Sequence, residues 1–367
     1  MKYLDNASTT KVLSEVTSEM LPYLSEIYGN PNSLYYEQAV EAKQAIEHAR
    51  KRVSDLFKSE QHNVIFTSGS AESNNMILKG IASKNNNCHI ITSKVEHSSI
   101  LETCRYLETK GIEVTYLDVD ETGKVRSGDL LKSIKPSTKL VSIMWVNNEI
   151  GTINNIDELA DICISRDILF HTDATQAIGK IEFNLNTISK IDFLSMSSHK
   201  IYGPKGVGCL LIKKTHIQND IIEPLIHGGN QEFHMRGGTL ATHQIVGFGK
   251  AAEICMLDTS KNISKLKETE ELLLNKITKQ YGGKIEIINN SFEKVPGIVS
   301  VRFIGINNQI LLKMISSDIS ASSGAACSND ELSHVLRAIG LKDNIIKETI
   351  RLSLSAYDDY LDFDEFE

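Results

Sequence analysis

The 367-residue sequence is short of several things, and each shortage excludes a class of function. No run of 18 apolar residues occurs, so no membrane-spanning helix is expected. The start, MKYLDNASTT, is polar and has no h-region, so it is not a secretory signal. The six cysteines, at 88, 104, 163, 209, 255 and 327, form no CxxC pair. That argues against a zinc knuckle or a disulfide framework, no metal site is expected, and a reducing cytoplasm is the simplest setting. Positive charge is in deficit: 39 Lys and Arg face 47 Asp and Glu, a net charge of −8. Direct nucleic-acid binding and anionic membranes are therefore poor partners. There is no internal repeat, and the only biased tract is the acidic end YDDYLDFDEFE.

What is present is the composition of an ordinary globular protein, 41% hydrophobic and 23% charged, long enough for a large domain and a smaller one. Residues 37–57, EQAVEAKQAIEHARKRVSDLF, carry apolar side chains at helical spacing. Short apolar runs then alternate with helical stretches: 64–66, 89–92, 114–117, 140–146, 168–173, 193–197 and 207–212. Such alternation predicts a mostly parallel sheet covered on both faces, with ligands at the carboxyl ends of its strands. Residues 240–282 read as a helical link. Beyond them KIEIIN, GIVSVRF, NQILLKMI, ELSHVLRAIG and TIRLSLS read as strand, strand, helix, helix and strand of a small α/β unit.

Several strand ends carry chemistry. TSGSAESNN (67–75) is a small-residue turn entering a helix, suited to a phosphate. Asp173 ends one strand, Lys200 lies in SSHKIYGPKGVG past another, and His97 follows a third. Each alone is ordinary: a helix cap, a strand-end carboxylate, a surface lysine, a core histidine. The Gly-rich run is no P-loop, since GK[ST] is missing at the required spacing. Together they meet the needs of pyridoxal 5′-phosphate. That cofactor wants a lysine for a Schiff base, a carboxylate to keep its pyridine nitrogen protonated and an anion site.

The stretches YLDNASTT, GNPNS, FTSGSAES, VEH, VNNEIGTI, DATQAIGK, SSHKIYGPKGVG, MRGGTLATHQIVG, SSGAACS, HVLRAIG and IRLSL occur in this order over about 350 residues. In them the sequence resembles the cysteine desulfurases of the NifS/IscS type, class-V aminotransferase relatives of PLP fold type I. The resemblance implies an α/β fold with a seven-stranded, mostly parallel sheet in a large PLP-binding domain (12–258). Residues 1–11 and 259–367 would form the small domain. It implies Lys200 as the Schiff-base lysine, His97 stacked on the ring, Asp173 at the pyridine nitrogen and Gln176 at the ring hydroxyl. Ser70, Ala71, Ser197 and His199 would form the phosphate site, with Thr239 reaching the cofactor of a second subunit in a homodimer. Asn148 and Arg351 would hold the carboxylate of L-cysteine, and guanidinium suits a carboxylate independently. Ala71 stands where the family usually has Thr.

Cys327 would then take the sulfur as a persulfide and pass it to an acceptor protein, an iron–sulfur scaffold or a tRNA-thiolation enzyme. Its setting, ISASSGAACSND (319–330), is a run of small residues suited to movement. SNDE (328–331) reads as a capping box, placing Cys327 just before a helix. Selenocysteine lyase or other class-V chemistry, and a weakly active sulfur-relay protein, remain open alternatives.

Overall fold

The computed structural model describes residues 1–33, 35–290, 293–324 and 332–358. Twelve strands lie among them. They are β1 (Lys2–Tyr3), β2 (His62–Thr67), β3 (His89–Ser93), β4 (Glu113–Leu117), β5 (Thr138–Ser142) and β6 (Leu169–Asp173). β7 (Phe193–Ser197), β8 (Gly208–Lys213), β9 (Ile285–Ile288), β10 (Ile298–Phe303), β11 (Ile319–Ser320) and β12 (Thr349–Ser353) follow. Seven form one sheet in the order β2-β8-β7-β6-β5-β3-β4, in which only β8 runs against its neighbours. The fold is therefore the expected α/β architecture with a mostly parallel seven-stranded sheet. β3 and β7 are buried at every position, as strands covered on both faces must be.

The helix Glu37–Phe57 buries Ala39, Ala42, Ile46, Ala49, Val53 and Leu56, a single 3.6-period stripe. Its partner is the 40-residue helix Thr242–Tyr281. The two approach so closely that a Cβ on Gly249 would lie 2.6 Å from Ala49 Cα. This long helix runs from the main sheet to a three-stranded antiparallel sheet, β12-β10-β9. A third, two-stranded sheet pairs β1 with β11 in parallel, Lys2 opposite Ile319. The N-terminal strand thus lies beside the chain that leads toward residue 327.

Two expectations shift. The strand anticipated over 140–146 ends at Ser142, because the chain leaves the ladder to bring Met144, Val146 and Asn148 to the cavity described below. The helix anticipated from Glu331 begins at His334 instead, with Ser333 as its cap, its hydroxyl accepting the Leu336 N–H at 3.0 Å. The capping box at Ser328 and Cys327 itself lie outside the described residues.

Candidate active site

The carboxyl ends of β2, β3, β5, β6 and β7 meet at one edge of the sheet, around a cavity of about 830 Å³. Lys200, His97, Asp173, Gln176, Ser70, Ala71, Ser197, His199, Asn148 and Arg351 all line it. Thr239 is exposed and does not. A separate surface hollow of about 600 Å³ near Glu47 and Lys214 gathers none of these residues.

β2 delivers the chain to Gly69, whose φ of 157° is accessible mainly to glycine, and the helix Ser70–Lys84 starts there. The Ser70 N–H donates to Ser197 Oγ at 2.7 Å, and Ser197 Oγ–H donates to Ser70 Oγ at 2.9 Å. Two hydroxyls and a helix N-terminus thus converge at the point expected to hold a phosphate. Ala71 contributes no hydroxyl, and Ser70 supplies one beside it.

β6 ends at Asp173, which is buried. Its Oδ2 accepts from Asn74 Nδ2 at 2.8 Å and its Oδ1 from the Thr175 N–H at 3.0 Å. Asn74 also donates to Ser99 Oγ at 2.9 Å, and Ser99 reaches His97 Nδ1 through its hydroxyl at 2.9 Å and its N–H at 3.1 Å. One asparagine therefore links the carboxylate to the imidazole. Burial pushes the His97 ring below the ordinary histidine range, against the opposing pull of Asp173. With Nδ1 accepting the Ser99 N–H, the neutral ring carries its proton on Nε2.

β7 passes into a short turn, Ser198–Lys200. Lys200 Nζ donates to the carbonyl oxygens of Ala7 and Ser8, both at 2.6 Å. Burial pushes its amine down to about 8, with Arg351 adding to the effect. His199 hydrogen-bonds Thr9 at 3.1 Å and is held down to about 4, mainly by burial. Arg351 is 1% exposed, and its guanidinium donates to the Asn148 carbonyl at 2.9 Å, Asp5 at 2.7 Å and Ser8 Oγ at 2.6 Å. Its Nε is buried and has no partner among the described residues.

Sequence reasoning missed Asp5, Ala7 and Ser8, which tie Lys200 and Arg351 together from the far end of the chain. It also missed Asn74, although a polar residue one turn after Ser70 on an inward helix face was a usable signal. Thr175, which also lines the cavity, has a buried hydroxyl without a partner among the described residues. Such an orphan polar atom, a desolvated amine, a carboxylate and a hydroxyl-lined helix start fit pyridoxal 5′-phosphate.

Comparison with known proteins agrees. The aminotransferase class-V family model matches residues 2–366. The mitosomal cysteine desulfurase of Encephalitozoon cuniculi is 43% identical over 361 residues, 97% of this chain and 82% of that protein. The cysteine desulfurase IscS of Buchnera aphidicola is 43% identical over 365 residues, 97% of this chain and 88% of its own length. Among solved structures, a NifS-like protein has a TM-score of 0.91 at 36% identity, covering 99% of this chain and 96% of that one. SspA in complex with cysteine has a TM-score of 0.84 at 34% identity, covering 98% and 100%.

Proposed function

We infer that this chain, which belongs to the aminotransferase class-V family and within it to the cysteine desulfurases of the NifS/IscS type, takes sulfur from L-cysteine and leaves L-alanine. The observation that carries the reading is the convergence of Lys200, Asp173, His97 and Arg351 on one cavity. When bound there, pyridoxal 5′-phosphate supplies the electron sink that makes the substrate's sulfur electrophilic.

Lys200 is the attachment point, and its depressed pKa keeps a useful share of amine free to move the Cα proton near neutrality. Asp173 holds the proton of the ring nitrogen, and Gln176 faces the ring hydroxyl. Ser70, Ser197 and His199 hold the phosphate, and the backbone at Ala71 belongs to the same turn. His97 covers the ring and shuttles protons at its imidazole. Asn148 and Arg351 grip the substrate carboxylate, for which the unpartnered Arg351 Nε is a spare donor.

The sulfur acceptor is Cys327. The five other cysteines are buried, and burial raises every one of their thiols, Cys88 and Cys255 to about 11 and Cys104 and Cys163 to about 12. Such thiols are inert at neutral pH. In the transfer the C–S bond of the substrate breaks and an S–S bond forms at Cys327. The electron pair of the broken bond stays on Cβ, which takes up a proton as alanine forms.

The working form in this reading is a homodimer, in which Thr239 of a second copy completes the phosphate site. The persulfide passes on to an iron–sulfur scaffold or a tRNA-thiolation enzyme in the cytoplasm. Among the described residues no helix is long and apolar enough to cross a membrane.

The test mixes the protein with L-cysteine without reductant and maps added sulfur by peptide mass spectrometry. One extra sulfur on Cys327, lost in Cys327→Ala and Lys200→Ala, is the expected result. No added sulfur despite a visible cofactor band would sink the desulfurase reading.

A further inference from the structure

One lysine behind the cavity has no part in this scheme. Lys180 lies four residues after Gln176, just past Gly179, and is partly buried. Among the described residues it pairs with no carboxylate; its Nζ donates to Gln176 Oε1 at 2.5 Å. A buried ammonium without a counter-ion is costly unless something it holds in place repays it.

What it holds is the amide of Gln176. That residue is buried, and its Nε2 donates to the Ala7 carbonyl at 2.8 Å. The Ala7 carbonyl can only accept, so Nε2 faces it and Oε1 faces the donating Lys180 amine; the two contacts agree on a single orientation of the amide. In that orientation one Nε2 hydrogen is left for the cavity that Gln176 lines. The Ala7 carbonyl is also the oxygen on which Lys200 Nζ rests. Lys180, Gln176, Ala7 and Lys200 therefore form one hydrogen-bonded chain.

We propose that Lys180 is a positioning residue for the cofactor, acting through Gln176: it fixes the amide so that its donor side faces the ring hydroxyl. This rests on the reading that Gln176 contacts that hydroxyl. The charged and titratable groups that interact with Lys180 are Lys200, Arg351, Cys255 and His199, and Tyr202 and Tyr357 line the same small cavity beside it. Burial first, then the two neighbouring cations, pushes its amine down to about 7. Even the neutral amine still donates to Gln176, so the positioning survives loss of the charge.

The test needs no substrate. Apo-protein is titrated with pyridoxal 5′-phosphate, and two quantities are read: the dissociation constant, and the pH midpoint of the bound cofactor's long-wavelength band. Lys180→Met, which fills a similar volume, should weaken binding about tenfold, the worth of one buried hydrogen bond. It should also raise the pH midpoint by about half a unit, because a donor to the ionised ring oxygen is loosened. In a Gln176→Ala background the same change should do neither. Equal losses in both backgrounds, or a lowered urea midpoint with cofactor affinity and band unmoved, would overturn the proposal. If Lys180→Met does not fold, Lys180→Gln reads the same cycle. A wild-type protein that gives no band ends the cofactor reading and this inference together. A normal wild-type band untouched by Lys180→Met ends this inference alone.

Discussion

At the residue scale the site works by deciding which groups carry charge. Glu96 sits fully buried behind His97, where Ser93 donates to it and the Met144 N–H donates to both of its oxygens. Burial raises its carboxyl to about 8, and nearby Asp173 adds to the rise. Burial thus lets Glu96 keep its proton toward the neutral range. The folded state holds a proton on Glu96 that the unfolded chain releases near 4.5, so its contribution falls as pH rises from about 4.5 to about 8. Glu96→Gln copies the neutral form and escapes that loss. Its stability advantage over wild type, read from urea midpoints, should grow between pH 5 and pH 8 by about 3–4 kcal/mol. A gap that stays constant with pH would show that Glu96 is ionised in the fold. The sequence made Asp173, Lys200 and His97 legible because each follows an apolar run at a strand's end. Glu96 and Lys180 were illegible, because burial, which sets their charge, is a property of the whole packing.

At the element scale the stretch before Thr239 is held by one buried ion pair. Glu232, Phe233 and His234 all have positive φ, from 49° to 65°, a conformation side chains resist. Arg50, from the helix Glu37–Phe57, anchors them by donating to both oxygens of Glu232 at 2.7 and 2.8 Å. The Phe66 N–H on β2 donates to the same carboxylate at 2.6 Å. Glu232→Ala would leave the Phe66 N–H unpaired and Arg50 with only the exposed Glu47 as counter-ion, costing about 3 kcal/mol. Urea unfolding measures this, and a loss below 1 kcal/mol would mean that water replaces the pair. Further along, Arg236 donates to Glu72 at 3.0 Å, so the same stretch is tied to the helix that starts at Ser70. Helix and strand periodicity made the elements themselves readable, with NQILLKMI matching its helix residue for residue. The ion pair was not readable, since Arg50 and Glu232 are 182 positions apart.

At the scale of the whole molecule the two ends of the chain build the site together. Asp5 pairs with Arg351 at 2.7 Å, and the Ala7 N–H donates to Ser353 Oγ at 2.8 Å. Lys200 and Gln176 both lean on Ala7. Contacts separated by some 346 positions form late in folding, after local helices. On refolding, the cofactor band should therefore recover after far-UV ellipticity, and Asp5→Asn should widen the delay. Simultaneous recovery would show that the cavity forms without the chain ends.

That closure also bears on how the chain is made. A ribosome delivers Lys200, Asp173 and His97 well before β12, yet the carbonyls that seat Lys200 belong to a first segment that β12 holds in place. The growing chain therefore carries Lys200 unseated until β12 has been made. Closure of the cavity that gathers His97, Asp173 and Lys200 thus waits on the strand that pins the first segment, and domain-wise synthesis reaches that strand after the sheet itself.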